Sequence, residues 1–357
     1  MGFKDKPPEN LDSRTLTVTA VGDIMLGDNA LHIGRGVAST WRQLSLEDQL
    51  GLLKPYLSGN IVIGNLECVL GAISSKNPKR RAYIAPASRA KELKNIGFTH
   101  LGLANNHILE HGFHAATQTR NALEDAGVIV CGPSNPVIHT INGKLIAIFN
   151  YSLTKERFPN AFYKNRVTQD DLLQIESSYA DYKIVFIHWG DEYSLYPSNT
   201  QIELGHEFLR RGAVLVFGHH PHVIQGIEKR AGGLIAYSLG NFIFDQNWSE
   251  ETQTGLILRV VLNNSKVASY TMRITKQDID FVPRLIRSNL LQDLNSRMFS
   301  FTARPDRYAE YVKRRENWAR MTMKKEVFKN LTDISLATLM YPIIKRSATL
   351  ERLFFPK

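Results

Sequence analysis

Gly218-His219-His220-Pro221-His222 follows Gly212-Ala213-Val214-Leu215-Val216-Phe217, so three imidazoles within four residues stand directly behind an apolar run that reads as a buried strand. Imidazoles at a strand's exit ride on a loop held by a rigid sheet. Their nitrogens can converge there on one metal or one phosphate.

Working outward, the same layout recurs. Leu16 to Val21 alternates as a strand and empties into Gly22-Asp23; Ile61-Val62-Ile63 runs into Gly64-Asn65-Leu66-Glu67. Phe98 to Leu103 leads to Ala104-Asn105-Asn106-His107, and Lys183 to Ile187 to His188-Trp189-Gly190-Asp191-Glu192-Tyr193. Helical spacing is expected over 44–57, 87–96, 113–126, 170–182 and 201–211. Strands alternating with helices of this length mean parallel β-α-β units with helices on both sheet faces. After the histidines the pattern changes to strands without helices, 234–237, 254–262 and 267–275, with Asn263-Asn264-Ser265 as a hairpin turn. The expectation is a polar, poorly ordered lead over 1–14, one mixed α/β domain over 15–280 with antiparallel final strands, and a C-terminal extension over 281–357.

With 357 residues and 43% hydrophobic content, the composition is that of a soluble globular protein. Cys68 and Cys131 supply neither a disulfide framework nor a zinc pattern; they read as small buried hydrophobes and fit a reducing compartment. Met1 to Pro8 has no apolar core of a signal peptide, and no run of about 18 apolar residues occurs, so the chain reads as cytoplasmic. The net charge is +10, but about +9 of it lies from Arg284 onward. Nucleic acid is therefore not the expected partner. From Arg304 the chain reads as a basic, aromatic helix: Tyr308, Tyr311, Trp318 and Phe328 among Lys313, Arg314, Arg315, Arg320, Lys324 and Lys325. It either packs on the domain with a solvated basic face, or touches a membrane surface or a polyanion.

Asp23, Asn65 with Glu67, Asn106 with His107, His188 with Glu192, and His220 with His222 all stand at strand ends. Ligands bind outside the carboxyl ends of parallel strands, so these loops are expected to meet on one edge. Carboxylate, amide oxygen and imidazole suit divalent Mn, Zn or Fe. Two such ions could activate a water and clamp a phosphoryl group. Walker, Rossmann and Gly-x-Ser-x-Gly signatures are missing from the sequence.

Six ordered motifs resemble the CapA family of poly-gamma-glutamate capsule biosynthesis proteins, relatives of calcineurin-like metallophosphoesterases. They are Gly22-Asp23-Ile24-Met25-Leu26-Gly27, Asn65-Leu66-Glu67, Ala104-Asn105-Asn106-His107, His188 to Tyr193, Gly218 to His222, and Tyr237-Ser238-Leu239-Gly240-Asn241-Phe242. The resemblance implies a four-layer α/β/β/α sandwich. It also implies Asp23, Glu67, Asn106, His188, His220 and His222 as ligands of one or two ions, with His107 as general acid. Trp189, Glu192, Tyr193 and Asn241 would line the substrate side, and His219 would support the ligands or sit in the core. Met25 stands where phosphoesterases carry an imidazole, and Glu67 where they carry a bridging Asp. Asp28, and Glu110 with His111, also depart from the family pattern and are expected to alter substrate contacts. Family members are frequently anchored in the membrane at the N-terminus.

Three functional readings follow. The first is a metal-dependent hydrolase of a phosphoester or related anionic substrate. The second is a protein that binds or transfers an acidic poly-gamma-glutamate chain, with or without a metal. The third is an inactive member that keeps the fold.

Overall fold

A computed structural model describes residues 15–72, 82–132, 135–154, 166–287 and 305–329, with side chains of the last segment described for 308–322. The expected lead over 1–14 and the side chains of Lys324, Lys325 and Phe328 lie outside the described residues.

Period-two alternation sorts the apolar residues into layers. Leu16, Val18, Ala20, Ile61 and Ile63 enter one central cluster together with Ile184, Phe186, Leu215 and Phe217. Their neighbours point the other way. Val21 and Val62 join a cluster that holds Leu46, Leu93, Ile96 and Leu123 from helices, whereas Val185, Ile187 and Val216 join Ile175 and Phe208 from two others. Two sheets therefore pack face to face, each covered outside by helices, in an α/β/β/α sandwich.

The first eight strands are β1 (Leu16–Ile24), β2 (Ile61–Leu66), β3 (Val69–Leu70), β4 (Ile84–Ala85), β5 (His100–Gly102), β6 (Ile129–Cys131), β7 (Val137–Ile141) and β8 (Lys144–Ser152). They are followed by β9 (Tyr182–His188), β10 (Leu215–His219), β11 (Ile227–Arg230), β12 (Gly233–Ala236), β13 (Asn241–Ile243), β14 (Thr254–Asn263), β15 (Lys266–Gln277) and β16 (Pro283–Ile286). One sheet runs β16-β15-β14-β1-β2-β5-β6 with β13 also paired to β1; the other runs β11-β12-β10-β9-β8-β7. The β1-β2-β5-β6 and β8-β9-β10-β12 stretches are parallel, and β14 to β16 are antiparallel. Asn264 and Ser265 have φ of 48° and 56° between paired Asn263 and Lys266, so the hairpin turn expected over Asn263-Asn264-Ser265 is a two-residue turn, with Asn263 still in the strand. Pro283–Ile286 extends the sheet beyond residue 280, so the boundary expected there falls short.

Two helices are shorter than their spacing suggests. Residues 44–57 divide into a helix Leu46–Leu50 and a 3-10 turn Gly51–Leu53, because Gly51 weakens helix propagation and Pro55 removes a donor. The helix expected over 170–182 is Gln169–Ser177, since Tyr182 is buried as the first residue of β9.

Residues 237–240 carry the chain from β12 in one sheet to β13 in the other. They pass between β1 and β10 where both strands have glycine: a Cβ on Gly22 would lie 2.0 Å from the Gly240 carbonyl oxygen, and one on Gly218 2.0 Å from that of Tyr237. This crossing brings the ends of the two sheets together.

At the opposite end of β5, His100 is 1% exposed and its ring stacks on His139 at 4.9 Å. Burial, with His139 and Lys94 adding, holds the His100 imidazole down at about 3. Between about 6.5 and about 3 the unfolded chain binds this proton and the folded one does not, so stability is lost as pH falls through that window, at a limiting slope of about 1.4 kcal/mol per unit. Urea unfolding at pH 7 and pH 5 should show a smaller acid-induced loss for His100→Gln than for wild type; equal losses would count against this assignment.

Candidate metal centre

Parallel register sets the site residues side by side. Asp23 on β1 is paired with Asn65 on β2 and with Asn241 on β13, while His188 on β9 is paired with His219 on β10. Glu67 follows β2 at once; its backbone N–H donates to the Ile24 carbonyl at 2.9 Å. The loop after β5 carries Asn106 and His107, fixed by Asn105, whose amide oxygen accepts the N–H groups of His107 and Ile108 at 3.1 and 3.0 Å. His220 and His222 have φ of 94° and 57°, a left-handed backbone that turns both rings back toward the sheets.

The centre of this arrangement is Glu67, which is fully buried. Its Oε1 lies 3.6 Å from His188 Nε2, 3.8 Å from His222 Nε2 and 4.0 Å from His107 Nε2, and it has no hydrogen-bond partner among the described residues. Asn106 Oδ1 is 2.8 Å from His188 Nε2. On the other side, Asp23 meets His219 Nδ1 at 3.0 Å and His222 Nδ1 at 3.3 Å. Among the described residues three groups hold ligand atoms within 4.8 Å of one another: Asp23-Glu67-His222, Glu67-His188-His220 and Glu192-His220-His222. Glu67 belongs to two of them, and His220 and His222 to two each.

The electrostatics of these side chains suit a cation. Burial pushes the Glu67 carboxyl well above its usual range, with Asp23 and Glu192 adding and His222 opposing. Burial also acts upward on Asp23, but hydrogen bonds and charge from His219 and His222 outweigh it and hold the carboxyl well below its usual range. His188 is driven well below its ordinary value, and His220 down to about 4, in both cases chiefly by burial. For His222, burial is outweighed by Glu67 and Asp23, and the imidazole rises to about 9. Two neutral imidazoles, two buried carboxylates and an orphaned Glu67 oxygen form a donor set that fits a divalent cation.

Trp189 and Asn241 sit elsewhere than the resemblance implies. Trp189 is 1% exposed and continues the Val185, Ile187 face into the outer core, where Nε1 donates to the Tyr237 carbonyl at 2.8 Å. It does not line the substrate side, because the alternation of β9 points it away. Asn241 is also buried: its Oδ1 stands 3.0 Å from His222 Nδ1, so it orients a ligand. Asn65, read from sequence as an oxygen donor, instead donates its amide N–H to Asp23 Oδ1 at 2.8 Å and Glu67 Oε2 at 3.3 Å. Asp28 accepts from Gly34 N, Ser39 N and Ser39 Oγ, and so pins a loop. Tyr83, which drew no notice in the sequence, stacks on His107 at 3.9 Å, and Glu110 Oε2 lies 3.6 Å from His107 Nδ1. His219 lies between the sheets against Phe186 and touches Asp23.

The sequence pattern of the bacterial capsule synthesis protein PGA_cap family matches residues 17–246. The chain belongs to this family. It is 32% identical over 280 residues to the capsule biosynthesis protein CapA of Bacillus anthracis, covering 70% of this chain and 65% of that protein. To the PGA biosynthesis protein CapA of Bacillus subtilis (strain 168) it is 27% identical over 260 residues, covering 68% and 67%. The likeness thus spans about two thirds of either CapA protein's length. A solved structure of a novel phosphatase from Mycoplasma pneumoniae superposes with a TM-score of 0.50 at 12% identity, covering 78% of this chain and 98% of that one. This shows the PGA_cap domain here to have a phosphoesterase-like fold. Among the described residues no helix is long and apolar enough to cross a membrane.

Proposed function

We propose that this PGA_cap protein is a hydrolase of phosphoesters or related anionic groups that depends on one or two divalent ions, Mn, Zn or Fe. The observation that carries the reading is the buried Glu67 Oε1, without a hydrogen bond among the described residues and within 3.6 to 4.0 Å of three imidazole nitrogens. Asp23, Glu67, Asn106, His188, His220 and His222 would hold the metal. Bound there, a divalent ion supplies an activated water and neutralises phosphoryl charge. His219 and Asn65 orient Asp23, and Asn241 orients His222. His107, the most exposed imidazole of the set with a side chain 17% accessible, is stacked on Tyr83 and backed by Glu110. In this reading it would protonate the leaving group.

The test is metal content together with turnover. Purified protein should carry stoichiometric divalent metal and hydrolyse p-nitrophenyl phosphate or bis-p-nitrophenyl phosphate with added Mn or Zn, and chelation should abolish this. No bound metal and no turnover would sink the reading. His107→Asn should keep the metal and lose about 100-fold in kcat on an alkyl phosphate, whose leaving group needs the proton, but much less on p-nitrophenyl phosphate. Equal losses on both substrates would remove His107 from that role.

The relatives' names favour a second reading, in which the site handles an acidic polymer and the basic tail helps to hold it. Calorimetry with poly-gamma-glutamate at two ionic strengths decides it; binding no tighter than to an unrelated polyacid counts against it.

A further inference from the structure

The helix Pro305–Lys329 lies outside the residues matched by the family and packs on the site loop that follows His188. Tyr308 OH donates to Asp191 Oδ2 at 3.0 Å, and Leu195 N–H donates to Tyr311 OH at 2.9 Å. Arg315 Nε donates to the Tyr193 carbonyl at 2.8 Å, its guanidinium lies over the Trp318 ring at 4.2 Å, and its Nη1 stands 3.8 Å from Glu251. Ala319 is 1% exposed and packs with Tyr193 and Trp248.

The gripped loop is strained. Tyr193 has φ of 64°, a left-handed conformation that is costly for a residue with a bulky side chain and persists only when its surroundings impose it. Those surroundings come from both sides: Tyr193 N–H donates to the Pro221 carbonyl at 2.7 Å, between the two site histidines, and its carbonyl accepts from Arg315. Glu192 sits within this grip. Its carboxylate shares a 4.8 Å cluster with His220 and His222, on the more exposed side of the centre. Met25, meanwhile, is buried in the core and offers no imidazole.

We propose that the C-terminal helix is a working part of the metal centre: by holding residues 191–195 it keeps Glu192 beside His220 and His222 as a further metal ligand. Arg315 and Tyr311 are then positioning residues, acting through the loop. The inference rests on the metal-dependent reading above.

Manganese titrated calorimetrically into the full chain tests it without relying on turnover. Glu192→Gln and Arg315→Ala should each weaken manganese binding about tenfold, and the double variant should be no weaker than Glu192→Gln alone. Arg314→Ala, at an exposed side chain paired with Glu310 on its own helix, should bind as wild type does. If Arg315→Ala fails to fold, Tyr311→Phe removes a single hydroxyl and should still weaken binding severalfold. Wild-type affinity in the Arg315 or Tyr311 variant, with Glu192→Gln weakened, overturns the helix's part; wild-type affinity in Glu192→Gln overturns the ligand. A wild-type chain that takes up no metal overturns the proposed function, and this inference with it.

Discussion

Glu67→Gln is expected to lower phosphoesterase turnover by about a thousandfold, equivalent to roughly 4 kcal/mol of barrier, while raising the thermal stability of the metal-free protein. The two effects have one origin. Glu67 is the only carboxylate common to the Asp23-His222 and His188-His220 groups, so its oxygens are the ones a cation on either side would use. A glutamine keeps the shape but loses the charge that such a cation needs. Without a metal, that same charge is a burden, since burial beside Asp23 pushes the Glu67 carboxyl well above its ordinary value. A raised carboxyl contributes stability below the unfolded value and loses it as pH rises, so at neutral pH the ionised form opposes folding. Removing it helps the empty fold. Differential scanning of chelated protein should show a higher melting temperature for Glu67→Gln, and added Mn or Zn should raise the wild type but not the variant. A variant that keeps turnover, or is stabilised by metal as the wild type is, would remove Glu67 from the centre of the site.

Much of this was legible in the residues, and the misses have physical reasons. Strand ends carrying Asp23, Glu67, Asn106, His188 and His220 announce a common edge, because a parallel sheet sends all its C-terminal loops to one side. That the strands divide between two sheets is harder to see. The alternation that separates Phe186 from Val185 sets each strand's two faces but does not say which faces meet. Trp189 could have been placed correctly: it shares the parity of Val185 and Ile187, and the signal was masked by the polar residues around it. Leu215, Phe217 and His219 share a parity in the same way, which puts His219 between the sheets. The grip of Tyr311 and Arg315 on residues 193–195 joins positions more than 110 apart in the chain. No local periodicity encodes such a contact.

Gly218→Ala is expected to destabilise the fold by roughly 3 kcal/mol or more and to abolish metal uptake in whatever protein remains folded. The new Cβ would stand 2.0 Å from the Tyr237 carbonyl oxygen and 2.4 Å from Trp189 Nε1, two groups hydrogen-bonded to each other at 2.8 Å. Neither can yield cheaply. The carbonyl belongs to the crossing segment, which Leu239 N–H ties back to the Gly218 carbonyl at 3.1 Å, and Trp189 is locked in the outer core. Relief requires β10 to move away from residues 237–240. Movement of β10 displaces His220 and His222 relative to Asp23 and Asn241, which the crossing holds in β1 and β13. Gly22 faces the same segment from the other sheet, with its Cβ position 2.0 Å from the Gly240 oxygen, so Gly22→Ala should behave alike. Gly143→Ala separates backbone strain from collision: its φ is 73° and, among the described residues, nothing lies within 4 Å of its Cβ position, so the left-handed penalty of about 1–2 kcal/mol should be all it shows. Urea unfolding of the three variants, with metal content measured alongside, checks the ranking. If Gly218→Ala were no worse than Gly143→Ala, the crossing would not be what joins the two sheets at the site. On this geometry, Gly22-Asp23, Gly218 to His222 and Tyr237 to Asn241 are three sides of one contact. The glycines let the backbones approach, and the approach sets the ligands.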